Sequence, residues 1–200
     1  MDYASLTKTV SPTISFMPPK TIVLVGLMGC GKTSIGKRLA KRLELPFHDS
    51  DHAVEDAAGC PIKDIFEIYG EDAFRSGEQR VIARLLDQPT HILATGGGSF
   101  ANEPTRDLIK EKSISVWLNA DLDTLVARVS RRNDRPLLGD GNQREVLTQL
   151  MAERYPLYSK ADIHVQTFDE PTNATVDRVI QAMTDFIREN YPSYYVLKSV

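Results

Sequence analysis

Cysteine is scarce in this chain: Cys30 and Cys60 are the only two among 200 residues. They form neither a metal-type pair nor a C-x-x-C redox unit, so a zinc ribbon and a disulfide scaffold are both excluded. A reduced, cytoplasmic setting is the expectation that follows. The four histidines (His48, His52, His91 and His164) are scattered and show no ligand spacing. Basic charge is not in excess either. The formal net charge is −3, which argues against broad binding to nucleic acid or to an anionic membrane. No apolar run approaches the roughly 18 residues of a membrane span. The first residues lack a basic segment followed by an apolar one, so no secretory leader is expected. No internal repeat is present, which excludes a solenoid.

What is there is concentrated at residues 21–36, TIVLVGLMGCGKTSIG. The run from Thr21 to Val25 is apolar and β-branched, as suits a buried parallel strand. Gly26-Leu-Met-Gly-Cys-Gly31-Lys32-Thr33 follows at once, matching G-x-x-x-x-G-K-[ST]. Ile35, Leu39 and Leu43 then recur on one face of a helix. Strand, glycine-rich loop and helix in this order form the context of a phosphate-binding loop. Gly26, Gly29 and Gly31 let the backbone turn sharply and approach an anion. N–H groups from Gly29 through Cys30, Gly31, Lys32, Thr33 and Ser34 then face phosphate oxygens at the helix start. Lys32 brings a cation to the β- and γ-phosphates, and the Thr33 hydroxyl can ligate Mg²⁺. For Cys30 the backbone N–H, not the thiol, is the expected contribution.

The apolar and charged shares, 42% and 26%, are ordinary for one soluble domain with tails. Residues 1–19 lack any sustained period and read as a flexible extension, with Ile14 and Phe16 able to dock on the surface. A second strand is expected over 45–51, ending in Asp49-Ser50-Asp51, then a short helix stopped by Gly59. Pro61 suits a helix start. Ile62, Ile65, Phe66 and Tyr69 recur at helical spacing until Gly70 breaks the pattern. A further helix turns Phe74, Val81, Ile82, Leu85 and Leu86 inward. Strands are expected at 91–95, 114–118 and 163–165, and helices from Pro104, from an Asp121 cap, over 143–159 and over 173–189. Residues 131–142 are polar and glycine-containing, compatible with a mobile lid or a plain surface loop. The aromatic tail 191–200 has no assigned place. Strands alternating with helices imply an α/β fold, a three-layer sandwich around a five-stranded parallel sheet. Ligands gather at the carboxyl ends of such strands.

Three constellations fall on that rim. The phosphate loop ends strand one. Asp49 and Asp51 end strand two, where an extended backbone would send both carboxylates the same way. One could hold Mg²⁺ and the other orient or deprotonate a hydroxyl, unless both only cap a turn. Gly96-Gly97-Gly98 ends strand three and offers bare backbone to a ligand or a flexible loop. Arg75, Arg135 and Arg154 could clamp a carboxylate or offset transition-state charge. As single residues they are equally readable as surface arginines.

Taken together the motifs are family-specific. GLMGCGKTSIGKRLA at 26–40, DSD at 49–51, IFEIYGEDAFRSGE at 65–78, TGGG at 95–98, RPLL at 135–138 and ERYPLY at 153–158 occur in an order that resembles bacterial shikimate kinase. The resemblance covers about 20–189, leaving only the two tails outside. It implies a P-loop kinase fold with a domain over 20–190 and a lid at about 131–142. The implied reaction is transfer of the ATP γ-phosphoryl to the 3-hydroxyl of shikimate, in aromatic amino-acid biosynthesis. By resemblance, Asp51 binds ring hydroxyls and is the candidate base. Arg75 and Arg154 hold the shikimate carboxylate, with Gly97 and Gly98 lining the same pocket. Asp49 supports Mg²⁺ with Thr33. Arg135 reaches phosphate and substrate from the lid, and Arg128 flanks adenine with the loop near 167–171 opposite. Phe66, Phe74 and Glu78 stand near the shikimate pocket. A cytoplasmic monomer using ATP, Mg²⁺ and shikimate, with no nucleic-acid or membrane partner, completes the expectation.

Three other readings are weighed against it. A gluconate kinase would share the loop and the acids but needs no pair of arginines for a carboxylated ring. A non-catalytic nucleotide-binding regulator would lose the acids or the lid arginine, whereas Asp49, Asp51 and Arg135 are all present. A structural partner in a larger assembly would expose apolar surface, for which the tail 191–200 is the candidate.

Overall fold

Thr21–Val25 is buried along its whole length, as expected of a strand covered on both faces. In the computed structural model, which describes residues 17–131 and 143–194, this run is β1. The other strands are β2 (Phe47–Asp49), β3 (Ile92–Ala94), β4 (Ser113–Ala120) and β5 (Ile163–Thr167). They form one five-stranded sheet in the order β2-β3-β1-β4-β5, and every pairing is parallel. β5 lies at one edge and alternates accordingly: Ile163, Val165 and Thr167 are buried and His164 is exposed.

The helices follow their local signals. α1 (Lys32–Leu43) buries Ile35 and Leu39 and carries Lys41 and Arg42 in its last turn. It packs against α7 (Thr172–Asn190), which buries Val176, Val179, Met183 and Ile187. α4 (Glu103–Lys112) starts where the Asn102 side chain accepts the Thr105 N–H, with a proline inside its first turn. α5 (Leu122–Ser130) is capped by Asp121, which accepts the Thr124 N–H at 2.7 Å. α2 (Ser50–Ala58) ends at Gly59 in the left-handed region. α3 (Ile62–Leu86) is interrupted at Gly70, whose φ of 79° is not helical. α6 (Gln143–Tyr158) completes the set, and Pro192–Tyr194 adds a short 3-10 turn beside Tyr191.

Two expectations, both of strand bounds, are corrected. The second strand stops at Asp49 instead of reaching Asp51, because the Asp49 carboxylate caps a helix. Its Oδ1 accepts the Asp51 N–H at 3.1 Å and turns the chain into α2. Asp49 and Asp51 therefore do not share one face of a strand. In α3, Ile65 is buried, but Phe66 and Tyr69 are exposed. The segment before Gly70 lies on α2, and only one side of it is covered. β4 and β5 also run further than the apolar runs suggested. Ile14, Phe16, the segment 132–142 with Arg135, and residues 195–200 lie outside the described residues. Among the described residues no helix is long and apolar enough to cross a membrane.

Two helical glycines test the packing in opposite directions. A Cβ on Gly36, inside α1, would stand 2.6 Å from Phe47 Cε2 and 3.2 Å from Leu24 Cδ1, whereas one on Gly77, inside α3, would meet nothing within 4 Å. Gly36→Ala should cost about 1–3 kcal/mol through overpacking. Gly77→Ala should gain about 0.5–1 kcal/mol by restricting the unfolded chain. Urea unfolding of both variants checks this, and shifts of the same sign would contradict it.

Candidate active site

The phosphate-binding loop joins β1 to α1. Gly29 and Gly31 adopt φ of 83° and 104°, where a side chain would be strained. Gly31 is also the N-cap of α1, with no side chain bonded to the helix start and no acid in the first turn. The positive end of the helix is thus left for an anion. Lys32 Nζ donates to the carbonyls of Gly26 at 2.7 Å and Leu27 at 3.0 Å, which holds the ammonium over the loop. The Cys30 thiol is buried 3.8 Å from the same nitrogen.

The rim of strand two is stitched to this loop. Thr33 Oγ1 donates to Asp49 Oδ2 at 2.8 Å while Asp49 Oδ1 caps α2, so one carboxylate ties two helix starts together. Asp51, in the first turn of α2, faces the glycine run after β3: a Cβ on Gly96 would lie 2.6 Å from Asp51 Oδ1. The Gly96 N–H donates to Ser50 Oγ at 3.0 Å. Both acids line a cleft of about 320 Å³ together with Gly31, Lys32, Thr33 and Gly97. Its donors near Thr33 are hydroxyl and carboxylate oxygens. Among the described residues no group of three or more His, Cys, Asp or Glu is placed to hold a metal ion by itself. That chemistry fits Mg²⁺, which keeps its waters and takes one or two protein oxygens beside phosphate, and does not fit a closed metal cage.

Beyond Gly97 two guanidiniums converge. Arg154 Nη1 donates to the Gly97 carbonyl at 3.2 Å. Arg75 is packed so closely on Gly98 that a Cβ there would stand 2.6 Å from both Nη atoms. Arg75 also pairs with Glu78 at 2.9 Å and lies 5.1 Å over the Phe74 ring. Glu78 is 1% exposed, and its second oxygen accepts from Ser99 Oγ at 2.7 Å, so the buried carboxylate is fully partnered. Phe66 stacks on Phe74, with ring centroids 4.5 Å apart.

At the opposite end, Arg128 Nη1 donates to the Cys30 carbonyl at 3.0 Å and Nη2 to the Phe168 carbonyl. Ser34, Arg131, Asp169 and Glu170 line the same end of the cleft. Of the sequence-derived site residues, Gly29, Gly31 to Ser34, Asp49, Asp51, Gly97 and Arg128 line the cleft, Cys30 accepts from Arg128 through its carbonyl, and Arg75, Gly98 and Arg154 adjoin it at Gly97; Arg135 is outside the described residues.

The sequence reading missed several supporting groups. Ser50 and Ser99 hold the glycine run, and Arg131 with Asp169 closes the far end. Tyr158 is fully buried, and its hydroxyl donates to the Gly97 carbonyl that Arg154 also reaches. Burial pushes the Tyr158 hydroxyl upward, so it stays protonated and donating. Tyr155 beside it is pushed up to about 12 by burial. The ERYPLY run contained Tyr158, but nothing in the spacing linked it to Gly97.

A family model for shikimate kinase matches residues 28–184. The chain belongs to the shikimate kinase family. It is 54% identical over 174 residues to a shikimate kinase of Caulobacter vibrioides, covering 87% of each chain. A second, from Rhodopseudomonas palustris, is 49% identical over 174 residues, covering 87% of this chain and 86% of the relative. The structure resembles shikimate kinase from Acinetobacter baumannii solved with shikimate: TM-score 0.78 and 35% identity, over 83% of this chain and 93% of that one. A gluconokinase from Sinorhizobium meliloti, at TM-score 0.63 and 18% identity over 88% of this chain and 97% of that one, shares the fold. Membership in the shikimate kinase family makes this chain an ATP-dependent phosphotransferase.

Tyr158→Phe should leave the Gly97 carbonyl one donor short and cost about 0.5–1.5 kcal/mol of stability. Chemical denaturation of the variant measures this, and an unchanged midpoint would show that the hydroxyl is not needed there.

Proposed function

We propose that this site transfers the γ-phosphoryl of ATP to the 3-hydroxyl of shikimate, with roles divided among the residues above. The observation that carries this reading is the convergence of Arg75 and Arg154 on Gly97 and Gly98, next to Asp51 and the phosphate loop. A carboxylated ring held bidentately by two arginines has its hydroxyls directed toward Asp51. Asp51 orients the attacking hydroxyl and accepts its proton as the O–P bond forms. The N–H groups of Gly29 to Ser34 cradle the phosphates. Lys32 exchanges its loop carbonyls for phosphate oxygens and neutralises charge on the transferring group. Thr33 and Asp49 would hold Mg²⁺, which would supply further charge neutralisation. Arg135 adds a cation from the segment 132–142, and Arg128 sets the wall beside adenine. Phosphoryl transfer demands in-line placement more than covalent help, and this division of labour supplies it.

In this reading a single kinase domain over 20–190 carries the whole reaction, between an N-terminal extension and a C-terminal tail. The enzyme works as a monomer in the cytoplasm.

A coupled ADP-release assay with shikimate, gluconate or no acceptor tests the assignment. Release should depend on shikimate and vanish with EDTA. Release with gluconate alone would keep the kinase class and overturn the acceptor. Lys32→Ala should lose at least about 10²-fold in turnover while remaining folded; a fully active folded variant would remove the phosphate-loop role. Arg154→Ala should raise the shikimate KM by about tenfold or more with ATP affinity nearly intact. An unchanged shikimate KM would contradict the carboxylate contact.

A further inference from the structure

The loop after β5 is held by arginines at three successive residues. Arg128 donates to the Phe168 carbonyl. Arg131 forms two parallel bonds to the Asp169 carboxylate, at 3.0 and 2.8 Å. Arg178 pairs with Glu170 and stacks 5.1 Å over the Phe168 ring, while Thr175 Oγ1 donates to Glu170 at 2.8 Å. The Arg178 and Thr175 bonds come from α7, the helix this loop leads into, and they fix the loop's own shape without help from Asp169. The Arg131–Asp169 pair does something different and, together with the Arg128–Phe168 bond, ties the loop to α5. Arg131 is the C-cap of α5, so the pair spans from α5 to the loop.

Both partners line the cleft, at the end away from Asp49 and Asp51. Their side chains are 64% and 51% exposed, so screening leaves the pair little weight in global stability. Its geometric consequence is local. A bidentate fork fixes distance and direction at once, and here it fixes the spacing between the end of α5 and the loop after β5.

We propose that Arg131 and Asp169 are positioning residues that set the width of the slot receiving the nucleotide base, and through it the affinity for ATP. The inference rests on reading this cleft as the ATP site. Neither residue touches the reacting atoms. They tie the Phe168–Glu170 wall to the end of α5, beside the Arg128 bond to the Phe168 carbonyl. Arg128, between the two walls, then keeps its bonds to Cys30 and Phe168 in register with the phosphate loop.

The test is a double-mutant cycle in the full-length enzyme, with ATP and shikimate titrated separately. Arg131→Gln and Asp169→Asn should each raise the ATP KM by about three- to fivefold, with the shikimate KM unmoved and kcat at saturating ATP changed less than twofold. The double variant should be no worse than either single one. The charge swap R131D/D169R should recover most of the loss. At roughly 0.5 M KCl, where screening shortens the Debye length to a few ångströms, the difference from the native enzyme should shrink. A purely structural role would lower the melting temperature and move both KM values together. Single variants with native ATP KM, or strictly additive ones, would overturn the proposal. Arg128→Ala separates the two levels of the argument. If it weakens ATP while the pair variants do not, only the pair's role fails. If it too leaves ATP affinity unchanged, the nucleotide reading of the cleft fails.

Discussion

The parallel register of the sheet is the constraint on which the rest depends. Leu24 of β1 and Asp49 of β2 both pair with Ala94 of β3, so three strands reach their carboxyl ends at one level. From that level the chain leaves three times: into the phosphate loop, into α2 and into the glycine run. Parallel strands cannot be joined by tight hairpins, so a helix must intervene between each pair, and its polar start or the loop before it falls on the same rim. Asp49 makes the coincidence rigid. One of its oxygens accepts from Thr33 and the other closes the first turn of α2.

How much of this was legible in the sequence depended on how local the cause was. The phosphate loop could be read because glycine, lysine and threonine at fixed offsets have one common explanation. The Asp121 cap, the Gly59 stop and the Gly70 break were readable for the same reason: each is decided within a few residues. The turn at Asp49 was misread because a carboxylate after a strand can continue the strand or cap the next helix, and only the cap is satisfied here. The exposure of Phe66 and Tyr69 was hidden because helical spacing tells which residues share a face, not whether another element covers it. Tyr158, Ser99 and the Arg131–Asp169 pair act across long sequence separations, and no periodicity announces them.

The two ends of the cleft are built differently. Near Gly97 the polar groups are buried and saturated: Glu78 by Arg75 and Ser99, the Gly97 carbonyl by Arg154 and Tyr158. A network of that kind holds one geometry, because any misplaced member leaves a buried group unpaired. Near Asp169 the pairs are exposed and individually weak. The end near Gly97 is therefore held by buried, saturated groups, and the end near Asp169 by solvent-screened pairs whose contribution is directional.

The break at Gly70 divides α3 into two bodies with separate stabilities. The segment before it has Ile65 as its one buried side chain, leaves Ile68 and Tyr69 largely in water and covers Phe66 only in part. The segment after it buries Phe74, Glu78, Val81, Ile82, Leu85 and Leu86. Backbone amides on the two sides therefore open at different free energies, the first cheaply and the second only near global unfolding. Arg75 stands on the slow side. Phe66 nonetheless packs on Phe74, over whose ring Arg75 lies, so the tip remains in touch with that guanidinium across the break.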